Sequence, residues 1–287
     1  MKKTPLHWIT CIAGLIAALT ASLAGAETLR LGATSTARDS GLLKFLLPQF
    51  TQDTGIKVLP IIGGSGQTLR NAERGEVSIL LVHSPAAERE FMLEGLGYSR
   101  TPVMHNYFIL VGPTSDPAAI RPLKTAQAAL ANIDRQGAKF ISRDDNSGTH
   151  KIEMALWDSL QLTPNKTTYL RAGAGMGRTL QMADQLQAYT LVDRGTWIKF
   201  QKRVQLVPLL TDSESLRNPY SVILVKPEDP LAPSFKNAQR LQHWLTGAPG
   251  QRAIAKFRVD GEIAFWPQKL IDSDDTAKTA ATDDSTL

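Results

Sequence analysis

After Glu27 the chain alternates short apolar runs with amphipathic stretches, and this alternation constrains the fold more than any other feature. Residues 28–32 read as a strand. Residues 41–51 read as a helix, with Leu42, Leu43, Leu46, Leu47 and Phe50 on one face. A second strand is expected over 56–62, a helix over 68–74 and a buried strand over 77–83. Strands joined through helices need crossover connections, so the pattern predicts an α/β fold with largely parallel sheets. With 287 residues the chain is long enough for two lobes.

Two later segments look alike: His105-Asn106-Tyr107-Phe108-Ile109-Leu110-Val111-Gly112-Pro113 and Asn218-Pro219-Tyr220-Ser221-Val222-Ile223-Leu224-Val225-Lys226-Pro227. Each has a polar or aromatic lead, an apolar strand and a closing proline. Such a pair lets a chain pass into a second lobe and return, which predicts lobe one over 27–112 plus 218–271 and lobe two over 113–217.

The two ends read differently. Lys2 and Lys3 precede an apolar run over 9–23, and Ala24-Gly25-Ala26 fits a signal-peptidase site. The run is short for a span of about 20 residues, so residues 1–26 are expected to be a signal peptide cleaved after Ala26, placing the protein in the periplasm. Residues 272–287 turn to Asp, Thr, Ala, Ser and Lys and are expected to form a disordered tail. The only cysteine, Cys11, lies in the signal segment, so the mature chain has no thiol for disulfides, catalysis or metal binding. Without Lys2 and Lys3 the net charge drops from +5 to +3. That excess is too small to argue for nucleic acid, yet it helps attract an anion at low salt.

Four loops rich in Gly, Ser and Thr each stand before a helical stretch: Thr34-Ser35-Thr36, Gly63-Gly64-Ser65-Gly66, the loop from Arg143 to Thr149, and Gly173-Ala174-Gly175-Met176-Gly177. A helix N-terminus offers unpaired N–H donors and a partial positive charge, which suits an anion. Any one of these loops reads first as plain helix capping; their recurrence favours an anion cage. Arg143 follows the apolar pair Phe140-Ile141 and can present two parallel donors to an oxyanion, or pair with Asp144 or Asp145, or do both.

Enzyme motifs fit poorly. Gly63 to Gln67 lacks the last glycine of a nucleophile elbow, and Ser147 with His150 has no third triad member. The run Asp144-Asp145-Asn146-Ser147-Gly148 has its glycine one position early for a calcium loop, and Gly173 to Gly177 lacks dinucleotide spacing. No metal site, catalytic residue or cofactor is expected. His83 closes an apolar strand and is either a cleft residue or a satisfied structural histidine. Trp157, Trp197, Trp244 and Trp266 are expected in the core, and Tyr107 in the cleft.

From about Leu29 to Pro267 the chain resembles the periplasmic tungstate-binding proteins of ABC importers. The segments that carry the resemblance are Thr34-Ser35-Thr36 with Ser40-Gly41-Leu42-Leu43, Gly64-Ser65-Gly66-Gln67, and Leu80-Leu81-Val82-His83. Further on come Ser142-Arg143-Asp144-Asp145-Asn146-Ser147-Gly148-Thr149-His150, Gly175-Met176-Gly177, and Tyr189-Thr190-Leu191-Val192-Asp193-Arg194-Gly195-Thr196-Trp197. The resemblance implies a type II periplasmic-binding-protein fold, with two α/β lobes joined by two crossover strands and closing on tungstate for delivery to a membrane permease. In that family the first loop carries a run of threonines ending in serine; here it reads Gly32-Ala33-Thr34-Ser35. Asp144 stands where the family has glycine after the arginine.

The expected oxyanion contacts are Thr34, Ser35, Ser65 and the N–H of Gly66 from lobe one, with Arg143, Ser147 and Thr149 from lobe two. Thr36, His83, Asn146 and Gly175 are further candidates. Tungstate, or the related molybdate, needs no acceptor for a proton, whereas phosphate does. Binding of phosphate or sulfate, oxyanion sensing through a membrane signalling partner, and hydrolysis through Ser147 and His150 are the rival readings. The protein is expected to be a monomer.

Overall fold

The computed structural model describes residues 28–268; the expected signal segment and the expected tail at 272–287 lie outside the described residues. Three parallel strands come first: β1 (Leu29–Thr34), β2 (Val58–Gly63) and β3 (Ile79–Val82). β1 lies between the other two, with Thr34 beside Gly63 and Ala33 beside Leu81. Ile79 and Leu81 of β3 enter one core with Phe50, while Leu80 and Val82 enter another with Phe91. A strand buried on both faces is what an unbroken Ile-Leu-Leu-Val run encodes.

The helices of this region are α1 (Ser35–Asp39), α2 (Leu42–Thr54), α3 (Ser65–Glu73) and α4 (Pro85–Leu93). α2 runs past its expected end in spite of Pro48, and Gly41 and Gly55 bracket it at φ 87° and 74°, angles that only glycine adopts at little cost. α3 starts three residues earlier than expected. The Ser65-Gly66 loop is itself the first helical turn, closed by the bond from Thr68 N–H to the Gly64 carbonyl (2.9 Å).

β4 (Gly97–Gly112) is far longer than the 105–113 segment expected and belongs to both halves of the molecule. Up to Tyr107 it pairs antiparallel with β9 (Arg217–Val225). From Phe108 it pairs with β7 (Thr190–Asp193) and β8 (Val207–Leu210). The two crossover strands therefore lie side by side. Asn106 and Asn218 face each other in register, both buried, and the Asn218 amide donates to Asn106 Oδ1 at 2.7 Å. The large sheet has the order β10-β4-β9-β3-β1-β2, β10 being Trp266–Pro267.

The second half adds β5 (Phe140–Ser142) parallel to β6 (Tyr169–Arg171), and Phe140 bridges Tyr189 just ahead of β7, again parallel. Its helices are α5 (Ala126–Arg135), α6 (Gly148–Ser159), α7 (Met176–Gln185) and α8 (Arg194–Phe200). The two faces of this sheet carry separate cores, one around Leu110, Trp157 and Tyr189 and one around Ile109, Val192 and Trp197. Each large side chain buried there contributes about 1.5–3 kcal/mol relative to exposure. The chain closes with α9 (Pro233–Thr246) and α10 (Ala248–Lys256) back on the first half. The expected α/β class, with two lobes and two crossover strands, is the architecture found.

α8 is the exception to a clean division, because Ile198 packs into the core of the first lobe. Two aromatic expectations fail near it. Trp266 is half-buried, stacked on His105 with the Arg194 guanidinium 5.2 Å above its ring. Tyr107 packs edge-on against Trp266 and reaches Glu214, so it does not line the cleft. A sequence run shows that these rings are apolar, but not that they cluster with one another beside a cation.

Candidate functional site

In both lobes the carboxyl ends of the parallel strands, where ligands of open α/β sheets bind, lead into the Gly/Ser/Thr-rich loops. The two sets of loops meet across the cleft. A cavity of roughly 250 Å³ lies between them, lined from the first lobe by Ser35, Thr36, Asp39 and Ser40. Arg143, Gly175, Met176 and Gly177 line it from the second lobe, together with Asp193, Thr196 and Lys199 around α8. Two larger depressions, of roughly 730 and 800 Å³, lie away from these loops, one near residues 225–229 and one along α9.

Thr34, the last residue of β1, is 2% exposed, and its hydroxyl has no hydrogen-bond partner among the described residues. Buried polar groups in folded proteins are almost always paired, and leaving one unpaired costs about 1–3 kcal/mol. Thr34 is therefore a donor held free at the level of the cleft loops, one residue before Ser35.

Arg143 follows Ser142 at the end of β5, on a loop with Asp144 and Asn146 at φ 46° and 56°. Its guanidinium bonds Asp145 Oδ2 through Nε at 3.1 Å and Nη2 at 2.5 Å, which settles the choice between the two neighbouring aspartates. Burial opposes ionisation of Asp145, but Ser147 and Arg143 outweigh it and hold the carboxylate below its usual range. Asp145 also accepts the Ser147 N–H, so it ties the arginine to the N-terminus of α6. Asp144 occupies a left-handed conformation that glycine takes freely.

The other expected residues sit on a seam beside the cavity and do not line it. Ser65 and Thr149 are buried in the first turns of α3 and α6. A Cβ added at Gly66 would lie 3.9 Å from the Lys151 ammonium, so α3 and α6 face each other across the lobes. His83 is fully desolvated, which lowers its pKa; it stacks on Tyr220 and its Nδ1 lies 3.1 Å from Asn218 Oδ1. A Cβ at Gly148 would meet its ring at 3.1 Å, so His83 is a packing contact between lobes. Ser147 caps α6 by accepting the His150 N–H at 3.4 Å, and the Asn146 N–H points to His150 Nδ1 at 3.1 Å. These are the groups a hydrolytic Ser147–His150 pair would need, and both are engaged with the backbone.

Sequence reasoning missed Asp39, Ser40, Asp193, Thr196 and Lys199. The Lys199 ammonium donates to the backbone carbonyl of Asp39 across the cleft, a contact between residues 160 apart in the chain. Asp193 caps α8, accepting the Thr196 N–H at 2.9 Å and its hydroxyl at 2.6 Å. The Asp-x-x-Thr spacing was the available signal, and it reads first as an ordinary cap. Among the described residues no group of three or more His, Cys, Asp or Glu stands where it would hold a metal ion.

Comparison with known proteins gives a consistent result. The model of the PBP superfamily domain matches residues 21–238. The tungstate-binding protein TupA of Peptoclostridium acidaminophilum is 42% identical over 229 residues, covering 79% of this chain and 80% of that protein. Among solved structures, the tungstate-binding protein TupA from Desulfovibrio alaskensis G20 superposes with a TM-score of 0.80 at 37% identity, over 85% of this chain and 99% of that one. The tungstate ABC transporter structure from Geobacter sulfurreducens gives 0.71 at 40% identity, over 80% and 99%.

Proposed function

The chain belongs to the PBP superfamily and, within it, to the tungstate-binding proteins, and from that premise we propose that it captures tungstate, or the related oxyanion molybdate, for ABC-type import. The observation that carries this reading is the cleft itself. The hydroxyl residues Ser35, Thr36 and Ser40 line one side, with the unpartnered Thr34 hydroxyl buried just before Ser35, and Arg143 lines the other.

In this reading closure brings the seam residues Ser65, Gly66, Ser147 and Thr149 onto the cavity, where Thr34, Ser35, Ser65 and the Gly66 N–H hold the anion from the first lobe. Arg143, Ser147 and Thr149 hold it from the second, with Thr36, His83, Asn146 and Gly175 around them. Closure of the lobes about β4 and β9 excludes water and strengthens each charge-assisted bond. The carboxylates nearest the cavity already have partners: Asp39 takes Arg38, Asp145 takes Arg143 and Asp193 takes Thr196. Asp39 spends one oxygen on Arg38 and keeps acceptor capacity, so the choice of tungstate over phosphate rests on the relatives and falls to the melt below. The protein works by binding and release, as a periplasmic monomer that hands its anion to an inner-membrane permease. No helix among the described residues is long and apolar enough to cross a membrane.

A thermal melt of the mature protein with tungstate, molybdate, sulfate or phosphate tests the reading. Ligand at about 100 times its Kd adds about 2.7 kcal/mol, equivalent to a rise of several degrees for a chain of this size. Tungstate or molybdate should produce that rise. A rise with phosphate or sulfate alone reassigns the ligand, and no rise with any of the four overturns oxyanion capture.

A further inference from the structure

Behind the Arg143 loop lies a carboxyl group that the binding scheme above does not use. Glu153, on α6, is 1% exposed, with its carboxyl beside Ser142 at the end of β5. The Tyr169 hydroxyl donates to its Oε1. Tyr169 is fixed in turn by stacking flat on Phe140 at 5.9 Å and edge-on against Trp157 at 6.1 Å. The Ser142 hydroxyl and the backbone N–H of Arg143 also point at the carboxyl. Ser142, fully buried, accepts the Asp144 N–H at 3.2 Å, so both residues flanking Arg143 are tied to this one network.

The charges around Glu153 are unbalanced. On the loop, Asp144 is negative, and the Arg143 guanidinium is turned away to Asp145. On α6, His150 faces Asp144 at 3.7 Å, and Lys151 faces α3. On β6, Tyr169 is the hydrogen-bond donor, with Arg171 beyond it. Among the described residues no cation is ion-paired with Glu153.

We propose that Glu153 is a positioning residue for the oxyanion loop, and that its carboxyl takes up proton from solvent, a fraction of one equivalent near neutrality, when a dianion binds at that loop. The inference rests on the oxyanion reading of the same loop. Burial first, and Asp144 second, push the carboxyl up from its usual range to about 7, against the opposing pull of Tyr169, Ser142 and the Arg143 N–H. A bound dianion adds negative charge to the same network and favours the neutral carboxyl further. The new O–H finds an acceptor in the Ser142 or Tyr169 oxygen once that hydroxyl rotates. The sign follows from linkage: affinity is highest below pH 7 and falls as pH rises through and above it. Each unit by which the anion raises the Glu153 pKa corresponds to about a tenfold difference in affinity between the two limbs.

The test is calorimetric titration of the mature protein with sodium tungstate from about pH 6.5 to 9, in buffers of different protonation enthalpy, beside Glu153→Gln. The wild-type protein should bind about tenfold more weakly at the alkaline end and take up protons near neutrality. Glu153→Gln, neutral throughout, should lose that slope and keep the affinity of the acid limb. Tight binding by the wild-type protein with no slope and no proton uptake overturns the proposal, and so does the same slope persisting in Glu153→Gln. Absence of tungstate binding at every pH overturns the oxyanion reading itself, a distinct result. Should the variant fail to fold, wild-type binding without proton uptake still overturns the proposal.

Discussion

The two walls of the cleft hold their polar groups in opposite states of readiness. On the first lobe the Thr34 hydroxyl is buried with nothing to bond among the described residues, and the hydroxyl residues Ser35 and Thr36 line the cavity. On the second lobe nearly every group is committed: Arg143 to Asp145, Asp145 to Ser147, and Ser147 to the first turn of α6. A wall of free donors gains whatever an arriving anion supplies. A wall of committed groups gains only the difference between its old bonds and its new ones. The first wall is thus suited to affinity, and the second to orientation and charge.

Arg143→Ala removes the one cation of the committed loop that can bind an oxyanion bidentately. Tungstate affinity should fall at least about 100-fold. The ligand-free melting temperature should stay within about 4 °C, because the Arg143–Asp145 pair is partly exposed and such pairs contribute roughly 1 kcal/mol or less. A large loss of stability without ligand would make Arg143 structural and erase the contrast between the walls.

Thr34→Val keeps the shape and deletes the free hydroxyl. Affinity should drop about 10–30-fold, measured by titration, while the ligand-free melt stays level or rises, since a buried unpaired group has been removed. A fall in ligand-free stability would show that the hydroxyl has a partner inside the protein.

Ser147→Ala separates capping from binding. Loss of the cap should cost about 1 kcal/mol in the ligand-free melt, with affinity down only a few-fold. An affinity loss as large as that of Arg143→Ala would make Ser147 a principal ligand of the anion, with capping the lesser role.

Asp144→Gly should have the smallest effect. It relaxes a backbone at φ 46° and deletes a negative charge beside the anion loop. The melt should move by less than about 2 °C, and affinity should rise up to about fivefold at low salt and less at high salt. A weakened complex would mean that Asp144, through His150, holds the loop in place.

Much of this was legible in the chain itself. The Ile-Leu-Leu-Val run of β3 had to be buried on both faces, and the matched segments before Pro113 and Pro227 are the crossover strands that pair through Asn106 and Asn218. The loops before α3, α6 and α7 announced themselves because glycine and hydroxyl residues at a helix start are a local signal. Lys199 and Glu153 carry no such signal. One is a lysine and the other a glutamate on a helix, and by sequence both read as solvated.

Sequence by itself determined the first-lobe strands and helices, the two crossover strands and the glycine- and hydroxyl-rich loops at the strand ends, because periodicity and backbone freedom act over a few residues. Tertiary structure alone decided which loop groups are free and which are spent. It left Thr34 unpaired, chose Asp145 over Asp144 for Arg143, kept His83 as packing, and set Glu153 beneath the binding loop. Desolvation and hydrogen-bond pairing depend on what the fold brings within about 3 Å, and residues distant in the chain decide that.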